Sequence, residues 1–262
     1  MTKKPPKTLT IASTPIVSNS EAMPGVRLIW LESPQIAAAA KPGQFVMVRC
    51  GKETLLRRPL SIHQVDESKT KLALLFNVVG KGTAWLSRRK AGDNIDLFGP
   101  MGNGYTIYPD SKNLLLVAGG IGIAPLYFLA QDAGKRGLSV TLLYGTAIEN
   151  PYPVVSHDIK LIRATEDGSV GYHGLVTDLL PDFTEKADQV FACGPLPMYK
   201  TMARVPELKN TPVQLSLEIM MGCGKGVCYG CTVKTKNGLK QVCKDGPVFE
   251  LEDIIWEELG GV

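Results

Sequence analysis

One stretch of the chain, residues 114–130, decides the fold and reads LLLVAGGIGIAPLYFLA. Its first five residues are continuously apolar, as expected of a β-strand that is buried on both faces of a sheet. Glycines then form a turn, and a helix is predicted from Ile123 to Ala133. Strands predicted at Val140–Tyr144, Lys160–Ala164 and Gln189–Ala192, and a helix at Leu196–Arg204, continue the alternation. This pattern predicts an α/β domain with a doubly wound parallel sheet over residues 111–212.

The residues before this stretch have a different pattern, in which short β-branched or apolar runs alternate with turn signals. Six such runs predict a small antiparallel six-stranded barrel over residues 8–110. One helix, Thr83–Lys90, interrupts them, and Thr83 is predicted to be its N-cap. The predicted strands are Thr8–Val17, Val26–Leu31, Gln44–Cys50, Leu60–Val65, Leu72–Val79 and Asn94–Phe98.

Four of the six cysteines are crowded into the last predicted domain, residues 213–262, with the spacing Cys223-x4-Cys228-x2-Cys231-x11-Cys243. This spacing is typical of a plant-type [2Fe–2S] site. Glycines between the first three cysteines allow the backbone to curl around a cluster and bring amides near its sulfurs. A structural zinc site is the alternative, although zinc ribbons usually present two CxxC pairs and only one is present here. A disulfide pair among these cysteines is a further alternative. Cys50 lies outside this group and is predicted to be a buried apolar residue.

Charge and hydropathy exclude several classes of protein. The 262 residues include 29 basic and 25 acidic side chains, a net charge of +4, which is too mild to indicate nucleic-acid binding. No apolar run approaches the length of about 20 residues that a membrane-spanning helix needs. The basic N-terminal residues are not followed by an apolar segment typical of a secretory signal. We therefore expect a cytoplasmic protein that binds neither membrane nor nucleic acid.

Two segments of the predicted barrel favour binding of a flavin nucleotide. Arg58-Pro59-Leu60-Ser61 begins a strand, and a fixed guanidinium pairs well with pyrophosphate oxygens. Gly80-Lys81-Gly82-Thr83 leads into the predicted helix, where backbone amides favour phosphate. Each segment alone is also compatible with an ordinary turn or helix cap, so the prediction rests on their combination.

Glycines in the α/β part favour binding of a second nucleotide. Gly119, Gly120 and Gly122 allow a dinucleotide to lie close to the backbone at the start of a helix, although they do not form the G-x-G-x-x-G fingerprint. Cys193-Gly194-Pro195 ends another predicted strand and leaves room for a flat ring. A tight turn and a core cysteine are the alternatives. In the loop after residue 144, Glu149 would repel a 2′-phosphate, which favours NAD over NADP.

The barrel, the glycine-rich nucleotide fold and the cysteines, in this order, resemble the ferredoxin–NAD(P) reductase superfamily. Within it, the chain most resembles the family of electron transfer subunits of dihydroorotate dehydrogenase B. The resemblance covers essentially the whole chain and is carried by the segments KPGQF at 41–45, RPLS at 58–61, GGIGIAP at 119–125, Cys193–Pro195, MGC at 221–223 and CKDGPVF at 243–249.

The resemblance implies a role for individual residues. FAD would be bound by Arg58, Pro59, Leu60, Ser61, Leu75, Phe76, Asn77, Gly82 and Thr83. NAD would be bound by Gly119, Gly120, Gly122, Cys193, Gly194 and Pro195. The [2Fe–2S] cluster would be held by Cys223, Cys228, Cys231 and Cys243. No acid–base residue is predicted, because in this family the cofactors carry the chemistry.

The resemblance also implies a partner. A separate catalytic subunit containing FMN would oxidise dihydroorotate in pyrimidine (UMP) biosynthesis, and electrons would pass through the cluster and FAD to NAD. The implied assembly is a heterotetramer with two copies of each subunit. The candidate contact residues lie around the cysteines, namely Met220, Met221, Val227, Tyr229 and Trp256, although ordinary packing is the alternative for each. His63 follows the flavin segment and is a candidate flavin contact, whereas His157 and His173 are expected in solvent.

Two other functions stay open on the sequence alone. The first is a related subunit of a ferredoxin–NADP oxidoreductase or of a sulfide dehydrogenase, which would have the same three parts. The second is a non-enzymatic binding module with a structural zinc knuckle.

Overall fold

A closed antiparallel barrel forms the N-terminal part of the computed structural model, which describes residues 10–150, 152 and 155–259. Its strand order is β1-β2-β5-β4-β3-β6. The strands are β1 (Thr10–Met23), β2 (Val26–Glu32), β3 (Phe45–Arg49), β4 (Arg58–Val65), β5 (Lys71–Asn77) and β6 (Asn94–Met101). Two helices, α1 (Pro34–Ala39) and α2 (Lys81–Ser87), accompany them. Aliphatic side chains such as Val46, Val48 and Ile62 fill the barrel interior.

The six predicted barrel strands are present, but their ends differ. Residues 8 and 9 of the first predicted strand lie outside the described residues, and β1 continues beyond Val17 to Met23 because its second half pairs with β2 as a hairpin. The prediction that Thr83 is an N-cap is wrong. The N-cap is Gly80, and the Thr83 hydroxyl accepts hydrogen bonds from the backbone N–H groups of Val79 and Gly80 at 3.0 and 3.2 Å. The helix therefore begins two residues earlier than predicted and ends at Ser87, before the predicted end at Lys90.

A seven-stranded sheet with the order β10-β9-β8-β7-β11-β12-β15 forms the second part. Its strands are β7 (Asn113–Gly119), β8 (Ser139–Thr146), β9 (Ile159–Thr165), β10 (Tyr172–His173), β11 (Gln189–Cys193), β12 (Val213–Ser216) and, near the end of the chain, β15 (Val248–Glu250). The helices are α3 (Ile123–Lys135), α4 (Leu180–Thr184) and α5 (Leu196–Met202), the last of which ends two residues before its predicted end. Single 3-10 turns occur at Gly120–Gly122, Val176–Leu179, Pro206–Leu208 and Leu251–Asp253.

Strand β7 is buried on both faces, as its apolar run predicts. Leu114 and Leu116 face a core shared with α3, whereas Leu115 and Val117 face a second core shared with the cysteine-rich segment. The sheet is parallel except at one edge, where β15 pairs antiparallel with β12. The cores therefore join the sheet to its neighbours on both sides.

The cysteine-rich segment is built into this sheet. Beyond residue 212 the chain first forms β12, which pairs with β11, then a hairpin of β13 (Thr232–Thr235) and β14 (Gly238–Gln241), and then the short helix α6 (Val242–Asp245). It returns to the sheet as β15. The predicted boundary between residues 212 and 213 therefore divides strands of one sheet. The three domain ranges stay predictions, and residues 8, 9, 151, 153, 154 and 260–262 of those ranges lie outside the described residues.

No helix among the described residues combines the length and the apolar character needed to cross a membrane.

Candidate cofactor and cluster sites

The two predicted flavin segments come together at the start of β4. Gly82 lies so close to Arg58 that a Cβ atom on the glycine would stand 2.8 Å from Arg58 Nε. The Arg58 guanidinium also donates a hydrogen bond to the carbonyl oxygen of Leu56 at 2.6 Å. The arginine and the Gly80–Thr83 turn are therefore neighbours in space, so that a guanidinium lies beside a glycine turn, which is the arrangement expected of a pyrophosphate site.

The predicted flavin-binding residues differ in what they expose. Leu75 and Phe76 on β5 are each only 2% exposed and pack into two different cores. Asn77 and Ser61 are partly exposed. A ligand would therefore meet Leu75 and Phe76 through their backbone, and it would meet Asn77 and Ser61 through their side chains as well.

A cavity of about 480 Å³ lies at the carboxyl edge of the sheet. This is where parallel α/β sheets bind nucleotides. Five of the six residues predicted to bind NAD line it, namely Gly119, Gly120, Gly122, Gly194 and Pro195. Cys193 does not line it: the residue is 2% exposed, its thiol lies 3.9 Å from the carbonyl oxygen of Ser216, and burial raises its pKa well above the ordinary value. We call this space the dinucleotide cavity.

The glycines at this cavity are required by close packing between two loops. A Cβ on Gly122 would stand 1.9 Å from the carbonyl oxygen of Cys193, and one on Gly119 would stand 2.8 Å from Cδ of Pro195. Gly120 has a φ of +52° and open space beside it. The first two glycines therefore bring the loops together, and the third leaves the backbone accessible.

The charge of the dinucleotide cavity is negative. Glu166 and Glu218 line it, and the described residues of its wall include no lysine or arginine. The Glu218 side chain is exposed at the cavity wall. The protein around it removes part of its hydration, and this desolvation raises the pKa of its carboxyl group above the ordinary value. Glu149, the carboxylate predicted to repel a 2′-phosphate, is exposed and lies outside this wall, because the loop turns away and its N–H donates to Ser169 Oγ. Glu166, the residue that follows β9, lines the cavity.

The four clustered cysteines approach one another as two pairs. The thiols of Cys223 and Cys228 interact, as do those of Cys231 and Cys243. The described residues contain no group of three or more His, Cys, Asp or Glu side chains placed to hold a metal ion. Two thiol pairs on one loop and α6 match a two-iron cluster, in which each iron takes two protein sulfurs.

Backbone amides point at these sulfurs. The N–H of Lys225 donates to Cys223 Sγ at 3.3 Å, and the N–H of Gly226 donates to Cys243 Sγ at 3.2 Å. Burial disfavours the Cys223 thiolate, but amide donors outweigh it and lower the pKa of this thiol to about 6. Burial, with the neighbouring Cys231, raises the pKa of Cys243 to about 12. Amide donors of this kind stabilise the anionic sulfurs of a bound cluster, so the residues fit a [2Fe–2S] centre.

The cysteine loop, residues 222–231, packs on the outer face of the barrel. A Cβ on Gly224 would lie 2.9 Å from Met47 Cγ, and the ammonium group of Lys225 lies 4.5 Å from the centre of the Phe98 ring. Met47 is the strand partner of Pro59 in the flavin segment. The cysteine loop and the flavin segment are therefore separated by one barrel strand.

Comparison with known proteins agrees with this arrangement. Residues 218–255 match the family model described as the iron–sulfur cluster binding domain of dihydroorotate dehydrogenase B. The chain is 39% identical to the dihydroorotate dehydrogenase B (NAD(+)) electron transfer subunit of Desulforamulus reducens, over 89% of this chain and 94% of the relative. It is 40% identical to the same subunit of Clostridium acetobutylicum, over 82% and 86%. The chain belongs to the family of dihydroorotate dehydrogenase B electron transfer subunits.

A solved structure has nearly the same fold as this member of the dihydroorotate dehydrogenase B electron transfer subunit family. It comes from a study of flavin-based electron bifurcation by an NADH-dependent reduced ferredoxin–NADP oxidoreductase. The TM-score is 0.85 at 33% identity, and the alignment covers 95% of this chain and 91% of the other. Membership of the family and the match of residues 218–255 decide against a structural zinc knuckle and a non-enzymatic module.

His63 is not placed as a flavin contact in this family member. The side chain is 0% exposed, and Nδ1 lies 2.8 Å from the carbonyl oxygen of Ala124 on α3. Burial lowers its pKa to about 4. The ring packs against α3, a contact between distant segments that the sequence does not reveal. His157 and His173 are exposed, as expected.

The candidate contact residues for a partner subunit fall into two groups. Met220, Val227 and Tyr229 are 76%, 70% and 69% exposed, and the last two flank the exposed Cys228 in the chain. Met221 is buried in the core beside the sheet, so its prediction as a contact residue is wrong. Trp256 is partly buried and packs against Tyr199, with ring centres 5.9 Å apart. Of the five candidates, therefore, only Met220, Val227 and Tyr229 are available for a contact.

Sequence reasoning missed Thr146, Glu166, Thr177 and Glu218, which line the dinucleotide cavity. A usable signal existed for Thr146 and Glu166, since they end or follow adjacent parallel strands and so lie at the same sheet edge as Gly119. Glu218 is placed by its position after β12, a strand whose membership of the sheet is not evident from the sequence.

Proposed function

We propose that this chain is the electron transfer subunit of an NAD-dependent dihydroorotate dehydrogenase and acts in pyrimidine biosynthesis. It binds FAD and a [2Fe–2S] cluster and connects a dihydroorotate-oxidising subunit containing FMN to NAD. When bound, FAD exchanges hydride with the nicotinamide and single electrons with the cluster. The observation that carries this proposal is that two of the sites are adjacent: the cysteine loop lies on Met47, and Met47 pairs with Pro59 of the flavin segment.

The residues of this chain supply binding and orientation. Arg58 and the turn at Gly82 hold the flavin pyrophosphate, with Ser61 and Asn77 at its rim. Gly119, Gly120 and Gly194 let NAD lie close to the backbone at the sheet edge. Glu166 disfavours a 2′-phosphate by charge repulsion, which supports NAD over NADP. Cys223, Cys228, Cys231 and Cys243 hold the cluster, and nearby amides stabilise it.

The partner is proposed to dock on the cysteine loop. Met220, Val227 and Tyr229 expose apolar surface around Cys228, whose thiol is the outward member of the two pairs. Exposed apolar side chains at one place are typical of a protein contact. The proposed assembly is a heterotetramer with two copies of each subunit, located in the cytoplasm, where NAD is available.

Purification of the native chain without air tests this function. We expect a second polypeptide that contains FMN, NAD reduction by dihydroorotate in the complex, and a mass equal to two copies of each chain. A chain that co-purifies with no such partner and reduces only NADP would refute the proposal. Absence of iron and acid-labile sulfide from the anaerobic preparation would show that the chain does not hold the cluster.

A second candidate function is the flavin and iron–sulfur subunit of a ferredoxin–NADP oxidoreductase. The solved structure with 33% identity over 95% of this chain supports it. The acidic dinucleotide cavity favours the first function, because the phosphate of NADP would meet Glu166. Steady-state kinetics with NADH and NADPH separate the two candidates.

A further inference from the structure

His63 joins the two elements that carry the candidate nucleotide sites. It lies on β4, two residues after Ser61 of the flavin segment, and its ring packs against α3, which begins immediately after the Gly120–Gly122 turn of the dinucleotide cavity. The His63 ring stacks on Tyr127 of α3, with centres 4.9 Å apart and planes inclined by 24°. The residue is therefore at the junction of the barrel and the sheet.

The hydrogen bonds of His63 fix one tautomer. The carbonyl oxygen of Ala124 only accepts, so Nδ1 at 2.8 Å carries the proton and donates. Nε2 is then an acceptor, and the Tyr152 hydroxyl donates a hydrogen bond to it. Both ring nitrogens of a neutral imidazole are satisfied, and the ring has one allowed orientation. An apolar side chain of the same size would fill the space but would not specify this orientation.

Tyr152 connects His63 to the parallel sheet. It belongs to the segment that follows β8, whose last residue, Thr146, lines the cavity. The Arg163 guanidinium on β9 donates to the carbonyl oxygens of Asn150 and Tyr152 at 2.9 and 3.1 Å. Tyr152 is thus held by the sheet while its hydroxyl holds His63.

Hydride transfer needs the two reacting rings about 3–3.5 Å apart and aligned, and misplacement by about 1 Å costs about 100-fold in rate. The flavin segment and the dinucleotide turn lie on different layers, so their separation depends on what joins β4 to α3. A satisfied and fully buried polar network is more directional than apolar packing.

We infer that His63, supported by Tyr152, is a positioning residue that sets the separation between the flavin segment on β4 and the dinucleotide cavity at the start of α3. This inference rests on the proposed exchange between FAD and NAD. It assigns no proton transfer to His63, which has no access to either cavity or solvent.

Three variants of the holoprotein test the inference. His63→Leu removes both hydrogen bonds, His63→Asn keeps a donor near the position of Nδ1, and Tyr152→Phe removes one hydroxyl. His157→Leu, at an exposed histidine, is the matched control. Each protein is examined for flavin content, melting temperature, NADH dissociation constant, the long-wavelength absorbance of the flavin–NADH complex, and the rate of flavin reduction by NADH in stopped flow.

For His63→Leu we expect full flavin content, an NADH dissociation constant within twofold of the wild type, weaker long-wavelength absorbance, and flavin reduction slower by tenfold or more. His63→Asn and Tyr152→Phe should show the same change to a smaller extent. A rate and absorbance within twofold of the wild type in His63→Leu and Tyr152→Phe would overturn the inference. If His63→Leu does not fold, the result from Tyr152→Phe decides.

The proposed function and this inference fail in different ways. A wild-type protein whose flavin is not reduced by NADH refutes the proposed function. A wild-type protein that is reduced normally, with variants that lose melting temperature but keep rate and absorbance, refutes only the positioning role and leaves His63 as a packing residue.

Discussion

Gly224 of the cysteine loop lies directly against the side chain of Met47 on the barrel, where a Cβ atom would come within 2.9 Å of Met47 Cγ. Gly224 also has a φ of +69°, a conformation that side chains disfavour. Because Met47 pairs with Pro59, this contact sets how close the cluster ligands come to the flavin segment. We therefore expect the glycine to determine a distance as well as a turn.

Gly224→Ala should move the cysteine loop away from the barrel. We expect destabilisation by about 1–3 kcal/mol from the unfavourable backbone conformation and slower reduction of the cluster through the flavin. Gly238→Ala is the control, since Gly238 has a φ of +91° but nothing within 4 Å. The measurements are chemical denaturation and the rate of cluster bleaching by NADH. Equal bleaching rates in both variants would show that the Met47 contact does not set the distance.

Cys228→Ser should abolish the cluster while the flavin site survives. The Cys228 thiol lies on the exposed side of the cysteine loop, whereas Arg58 and Gly82 are on the barrel. Iron and sulfide should fall to background, with flavin content and NADH-dependent dye reduction kept. Cys50→Ala, at a buried barrel cysteine, should keep both cofactors. Loss of dye reduction in a folded Cys228→Ser protein would contradict the separation of the sites.

Local patterns predicted most of this fold. The apolar run at 114–118 followed by glycines predicted β7, its turn and α3, because a strand buried on both faces has few other sequences available. The cysteine spacing predicted the iron–sulfur domain for a similar reason, since the chain between the first three ligands must curl within a few residues. Both signals lie within a short window of sequence.

Contacts between distant segments were not predictable. The pairing of β15 with β12 joins residues about 34 apart through a short edge strand, and the helix α1 and the hairpin β13–β14 have weak local signals. Glu149 was predicted at the cavity because it follows β8, but the loop turns outward and Glu166 takes that place. His63 looked like a flavin neighbour because it follows Ser61 by two residues, but its ring packs against α3, which is distant in sequence.

Arg58→Ala should weaken retention of the flavin. Loss of a charge-assisted contact of about 1.5–3 kcal/mol corresponds to an increase of about 10- to 150-fold in the dissociation constant. Arg57→Ala is the matched control, because the Arg57 guanidinium is already engaged by Asp96 at 2.8 Å. Flavin fluorescence released during dialysis measures the difference. Equal flavin retention in the two variants would show that Arg58 does not contribute to the flavin site.

Glu166→Gln should increase the use of NADPH relative to NADH. Removal of one negative charge from the cavity wall is expected to favour a 2′-phosphate by about 1–2 kcal/mol, or about 5- to 30-fold in the ratio of kcat/KM values. Glu149→Gln, outside the cavity wall, should leave the ratio unchanged. Dye reduction with each nucleotide gives the ratios. A shift in Glu149→Gln without one in Glu166→Gln would restore the assignment made from sequence.

The stability of the protein should depend on pH through His63. The folded pKa is lowered to about 4 by burial, whereas the pKa in the unfolded chain is near the ordinary value of 6.5. Below pH 6.5 the unfolded chain therefore binds a proton that the folded protein excludes, and stability falls until the pH reaches about 4. The contribution is up to about 3 kcal/mol over this range. Tyr127 and Tyr152, the titratable groups against the ring, stay neutral here because burial raises the pKa of both.

Denaturant titrations between pH 7 and pH 4.5 measure this effect. The free energy of unfolding should fall more steeply for the wild type than for His63→Leu, in which this proton is absent. Parallel curves for the two proteins would mean that His63 does not change its protonation on unfolding in this range.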